Sequence, residues 1–225
     1  MNCMKPTAPK YNFHDIKELK FGEEIGNSVS HGVPALLILF ALPYFAVQSY
    51  IQHGSLFSFG ISVFLISIFL MFISSSIYHL MPPKSIHKLV MRIIDHAMIY
   101  IAIAGTYTPV ALSLVGGKLG ITIMITQWVI TIAGIVYKAT AKHVNPKVSL
   151  AMYLVMGWLG VVLFPSLINK ASLTFILLII AGGLMYTIGA WFYAQKNRHY
   201  FHMIWHFFII LGALCHFIAL LYFIQ

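Results

Sequence analysis

His202 and His206 stand four residues apart in HYFHMIWHFFIILGALCHFIALLYFIQ, the stretch 199–225. On a helix, residues i and i+4 share one face, so the two imidazoles lie one above the other, suited to hold a single ion or to hydrogen-bond as a pair. His216 follows ten residues later, roughly 15 Å further along the axis, and cannot share a small ion with them. Other stretches carry groups of matching chemistry. Ser75 and His79 are i, i+4 in SSSIYHLMPP, where the prolines end the helix. RIIDHAMIYIAIAGTYTP holds Asp95, the only acid after Glu24. In GEEIGNSVSHG, the spacing of Glu24, Asn27, Ser28 and His31 lines one helical face.

Three imidazoles with a fourth position left open to water are a catalytic zinc set. The HMIWH pair resembles the zinc helix of HExxH proteases but lacks its Glu, so a base has to come from another stretch. Asp95 is the candidate, with Ser75 to orient the water. A hydrogen-bonded histidine cluster or a proton relay would use the same residues. Asp95 would otherwise pair with Arg92 at the membrane edge. Glu24 and Asn27 read equally well as a helix cap with a favourable carboxylate in the first turn, which leaves His31 unexplained. His96 points about 100° away from Asp95 and reads as facing the interface.

The elements that must position these groups are membrane helices. Of the 225 residues, 60% are apolar and 8% charged; a soluble domain carries about three times that charge. Seven apolar stretches can be drawn, about 28–51, 55–80, 93–115, 119–138, 148–169, 171–194 and 203–224, each near the roughly 20 residues that span hydrocarbon. Backbone groups in lipid must be satisfied internally, so the expected fold is all-α, a seven-transmembrane-helix bundle. Residues 1–24 are polar and read as a cytosolic N-terminal tail rather than a cleaved signal peptide, and 25–225 as the transmembrane domain. Cys3 and Cys215 are too far apart in character, tail against helix, for a disulfide framework.

The net charge of +9 suggests nucleic acid until its distribution is followed. The tail lysines, then Lys84, Lys88 and Arg92, then Lys138, Lys142 and Lys147, then Lys196 and Arg198 all fall on one side; only Lys118 and Lys170 fall on the other. That asymmetry puts the N-terminus in the cytoplasm and the C-terminus outside. The basic excess is topological, and membrane lipids rather than nucleic acid are the expected partners. With this topology His31, His79, Asp95, His202 and His206 share a shallow layer at the cytoplasmic end. The stretches 119–138, 148–169 and 171–194 read as scaffold: Thr122, Thr126, Gln127 and Thr131 have no evident partner. Gly157, Gly160, Gly182, Gly183 and Gly189 permit close packing. Trp191 and Tyr193 suit an interfacial aromatic belt.

These residues carry a likeness over nearly the whole chain. Glu24-x-x-Asn27-x-x-Ser30-His31, Ser75-x-x-x-His79, the segment from Asp95 through AGTYTP, and His202-x-x-x-His206 followed by Gly212 and His216 resemble the hemolysin III family, bacterial relatives of the progestin and adipoQ receptors, which include the adiponectin receptors. The resemblance implies zinc held by His79, His202 and His206, with Ser75 and Asp95 beside the bound water. Similarity of the wider superfamily to alkaline ceramidases implies hydrolysis of a lipid amide. The family name implies cytolysis or pore formation, and a receptor-like role in membrane homeostasis with a structural zinc stands beside them. A homo-oligomer is compatible with each.

Overall fold

The computed structural model describes residues 19–141, 144–195 and 197–223; the expected tail therefore lies almost wholly outside the described residues. Everything regular in them is helical: α1 (Phe21–Leu80), α2 (Ile86–Pro109) running into a π-helical turn at Val110–Val115, α3 (Gly117–Thr140), α4 (Pro146–Trp158), a 3-10 turn at Leu159–Leu163, α5 (Phe164–Lys170), α6 (Leu173–Ala194) and α7 (Phe201–Tyr222). Among the described residues, six helices are long and apolar enough to cross a membrane, with α2 and its π turn, and α4 through α5, each counted as one.

The 60 residues of α1 are not straight. Gly54 has φ 81° and ψ −176°, a conformation that glycine adopts without a Cβ penalty, and the chain doubles back there. The arms 21–53 and 55–80 then run side by side. Near the bend Ser58 Oγ donates to the Ala46 carbonyl at 2.7 Å, and far from it Ser28 Oγ donates to the Ser76 carbonyl at 3.1 Å. The fold-back places the start of α1 against its own end, which is how Glu24 meets His79.

Helix ends follow local chemistry. Pro82 and Pro83 cannot continue α1. Ser85, Asn145 and Ser172 cap α2, α4 and α6, accepting from the backbone N–H of Lys88, Lys147 and Phe175, with Pro146 at the first helical position of α4. The Ser85 cap starts α2 seven residues before the expected 93, so Lys88 and Arg92 lie in the helix and not in a loop. The stretch 148–169 is likewise not one smooth helix but is interrupted at Leu159–Leu163.

The second arm of α1 is central. Ile61, Phe64, Leu65, Ile68 and Phe72 recur at helical spacing and are buried, and α2 packs along them. Lipid offers no hydrophobic drive for helix association, so close approach matters: a Cβ on Gly105 would fall 2.5 Å from Ser67 Cβ. The outward faces carry Leu37, Phe40, Val129, Ile132 and Leu173, all well exposed. They form a lipid-facing belt, the inverse of a soluble surface.

Candidate metal centre and adjoining cavity

His79 ends the second arm of α1, and His202 and His206 lie in the first turns of α7. One ring nitrogen of each lies within 4.8 Å of the others. His79 Nε2 and His202 Nε2 are 3.3 Å apart. Tetrahedral zinc with Zn–N of about 2.0–2.1 Å sets ligand nitrogens about 3.3 Å from each other, so this pair is spaced for one ion.

The outer partners fix which nitrogen faces inward. His79 Nδ1 donates to Glu24 Oε2 at 2.6 Å, leaving Nε2 with its lone pair toward the cluster. His206 Nδ1 donates to the Asn27 carbonyl at 3.2 Å, with Ser30 Oγ 3.1 Å away. His206 is completely buried, and its Nε2 has no hydrogen-bond partner among the described residues. A bare buried acceptor of this kind costs about 1–3 kcal/mol, and a bound cation removes that cost. Carboxylate and carbonyl partners behind ligand imidazoles are the usual second layer of a metal site. The donor set, spacing and orphaned Nε2 therefore fit a zinc-type ion.

Glu24 does more than cap a helix. Its Oε1 accepts from Lys88 Nζ at 2.7 Å, and Lys88 is buried, donating also to the Met81 carbonyl at 3.2 Å. Glu24 lies in the first turn of α1, as the cap reading expects, and its carboxylate also links His79 to Lys88. Glu23 holds α7 in place from the same turn: its Oε1 accepts from the Tyr200 backbone N–H, at the left-handed residue that precedes α7 (φ 61°). No spacing pattern singles out Glu23, and a helix start at 93 leaves Lys88 among the loop charges; the Ser85 cap three residues before Lys88 is the local signal that places it in α2. Of the Asn27 groups, the backbone carbonyl serves the site, while its side-chain nitrogen and oxygen have no partner among the described residues. His31 stacks on His206 with centroids 3.7 Å apart and rings 7° from parallel, its edge toward Phe72.

Asp95 and Ser75 are buried and, with His31, line one end of a cavity of about 210 Å³. Ala102 and Thr106 continue the wall above Asp95, as their spacing predicts. Among the described residues Asp95 makes no ion pair with Arg92; its Oδ2 lies 3.7 Å from His96 Nδ1, which also meets the Arg92 carbonyl at 2.7 Å. His96 makes contacts within the protein: its Nε2 is 3.3 Å from the Tyr193 hydroxyl, and its carbonyl accepts from the Tyr153 hydroxyl at 2.8 Å. Tyr193 lines the cavity, whereas Trp191 is exposed.

The supposed scaffold helices also take part. α4, α5 and α6 supply much of the cavity lining, Tyr153, Leu167 and Tyr186 among it. Gln127 has a partner, donating from Nε2 to the Met156 carbonyl at 2.9 Å, and Thr131 Oγ1 donates to the Tyr100 carbonyl at 3.2 Å. His216 stays apart from the three imidazoles but lines the same cavity.

A family model described as "Haemolysin-III related" matches residues 19–217. The chain is similar to the "Hemolysin-3 homolog" of Bacillus subtilis, 34% identical over 202 residues that make up 89% of this chain and 94% of the relative. It is similar to the "Hemolysin-3" of Bacillus cereus at 33% over 203 residues, 90% and 92% of the two chains. A human "Monocyte to macrophage differentiation factor" matches at 27% over 158 residues, 67% of this chain and 64% of that one.

Proposed function

The chain belongs to the haemolysin III-related family, a multi-pass protein of the bacterial cell membrane, and we propose that it is a zinc-dependent hydrolase of a lipid-like amide. The observation that carries the reading is the convergence of His79, His202 and His206, two of them locked by outer partners, beside a largely apolar cavity whose end holds Asp95, Ser75 and His31.

The two arms of α1 each cross the bilayer. A straight 60-residue helix would extend about 90 Å against a hydrocarbon core of about 30 Å, and the break at Gly54 divides it into two suitable lengths. Seven crossings result, with the N-terminus inside by the lysine and arginine asymmetry and the metal layer near the cytoplasmic face. A substrate enters from the inner leaflet with its chain in the cavity and its amide at the polar end.

His79, His202 and His206 would hold a zinc ion, which would supply Lewis acidity and lower the pKa of a water at the site. Asp95 accepts the proton of the attacking water and passes it to the departing amine nitrogen. Ser75 orients the reacting groups by hydrogen bonding. His31 closes the site by covering the face of His206 and shielding it from solvent. Asp95 is the catalytic residue; Glu24, Asn27 and Ser30 are positioning residues.

The names of the Bacillus relatives favour a second reading, cytolysis. A standing aqueous pore requires a continuous polar path, and the cavity walls are apolar through Ile99, Ile103, Ile176 and Ile180; lysis would then come from association of several copies. A receptor-like homeostatic role would need the metal but not Asp95. The test is purified, zinc-loaded protein with N-acyl amide substrates, followed by release of fatty acid. Release that depends on Asp95 supports hydrolysis; equal phenotypes of wild type and Asp95→Asn support the homeostatic reading.

A further inference from the structure

The cavity beside Asp95 is not sealed. Its exposed lining residues are Gly157, Trp158, Val161 and Phe164 of the α4–α5 span and Ile180 of α6. The others, among them His31, Ser75 and Asp95 at the polar end, are buried or half-buried. Exposure of the lining is thus confined to one seam, where the α4–α5 span faces α6. The polar end is closed and the seam is open.

Packing explains the seam. α4 is tied to α2 and α3: the Tyr107 hydroxyl donates to the Gly157 carbonyl at 2.6 Å, and Gln127 Nε2 to the Met156 carbonyl at 2.9 Å. α6 packs instead along α7, where a Cβ on Gly182 would fall 3.1 Å from the Gly212 carbonyl oxygen. The Trp158 Nε1 donates across the seam to Thr187 Oγ1 at 3.2 Å. Beside that bond the walls stand apart, since a Cβ on Gly157 or on Gly183 would meet nothing within 4 Å. Trp158 stands 12 residues into α4 and Ile180 14 residues before the end of α6, each roughly 20 Å from the helix end on the side of the metal layer. Against a hydrocarbon core of about 30 Å, the seam opens into lipid tails and not into water.

We infer that this seam is a side mouth through which the far end of the ligand's chain passes out into the bilayer, so that the site does not select for chain length. In a sealed pocket every methylene beyond its capacity overpacks the wall and weakens binding. At a side mouth the extra methylenes leave one apolar surrounding for another, because lipid tails are as apolar as the residues of the rim. Val161, Phe164 and Ile180 at that rim offer no polar side-chain group that would fix a chain end. The inference rests on the reading that a lipid-like chain lies in this cavity, and it adds that this ligand class is open-ended in length.

The test is binding to the purified full chain in lipid nanodiscs, by displacement of a fluorescent fatty acid. The competitors are saturated fatty acids of about 12 to about 24 carbons, the longest matching a hydrocarbon core of about 30 Å. Affinity is expressed per mole fraction of competitor in the bilayer, which removes the effect of length on partition. Wild-type affinity should stay level across the series, within about two-fold. Gly157→Phe and Gly183→Phe each add a ring at the mouth, in space that is open. Either should keep the binding of the shortest chain and weaken that of the longest about ten-fold, as an overpacked wall would. One variant suffices should the other fold poorly, and the wild-type series alone decides should both do so. A steep fall in wild-type affinity at one length marks a closed pocket and overturns the inference but leaves a lipid in the cavity; so does a level series that survives both substitutions. Binding of no chain overturns the inference together with the reading it rests on.

Discussion

His79 Nε2 and His202 Nε2 lie 3.3 Å apart although 123 residues separate them in the chain. Neither helix could create that spacing alone. It depends on Glu24, which turns His79 by its Nδ1, and on Glu23, which receives the Tyr200 N–H at the head of α7. Two neighbouring acids at one end of α1 thus align both sides of the site.

Metal analysis of detergent-purified protein should give one zinc per chain. His202→Ala or His206→Ala should remove most of it, because two imidazoles do not hold zinc as three do. His216→Ala should leave the metal content unchanged. Equal loss from all three substitutions would show that His216 is a ligand and the geometry above is wrong.

Asp95→Asn keeps the shape of the side chain and its hydrogen bonding but not its ability to take a proton. The variant should fold, retain its zinc, and lose at least about a hundred-fold in amide hydrolysis, the lower range for a positioned general base. Arg92→Gln should leave activity nearly intact, since Arg92 makes no ion pair with Asp95 among the described residues. Full hydrolytic activity in zinc-loaded Asp95→Asn would show that Asp95 is not the general base, and absence of hydrolysis in the zinc-loaded wild type would end the hydrolase reading.

Glu24→Gln should weaken zinc binding by roughly 10- to 100-fold, the usual effect of losing a carboxylate behind a ligand histidine. Measured with a competing chelator, the loss should appear as affinity and not as stoichiometry at saturating zinc. The same substitution leaves the buried Lys88 ammonium without its anion, so stability should fall as well. Glu24→Gln, Lys88→Met should recover stability and keep the weakened metal affinity. Unaltered affinity in Glu24→Gln would mean that the 2.6 Å contact to His79 does not serve the ion.

A reporter fused after Gln225 should be active only as an exported type, placing the C-terminus outside. The expectation follows from the one-sided distribution of lysine and arginine together with two crossings by α1. Activity of a cytosolic reporter at that position would invert the bundle and move the metal layer to the outer face.

Much of this was legible before any coordinates. Composition and stretch length dictate membrane helices, because unsatisfied backbone groups cannot exist in hydrocarbon. Spacing within a helix is a property of the helix itself, so the i, i+4 pairing of His202 with His206, and of Ser75 with His79, could be read directly. So could the rarity of Asp95, a carboxylate in a run where ionisable groups are costly. What packing alone decided was the rotation and pairing of different helices. Nothing in the local sequence says that the first-turn carboxylate of Glu24 would reach His79 and Lys88, or that Lys88 would be buried rather than counted among loop charges. Nor does it say that Tyr193 would turn inward to His96, or that α4 to α6 would wall a cavity reaching His216. Each of these depends on which faces meet across tens of residues, and a helical period carries no information about its neighbour's phase.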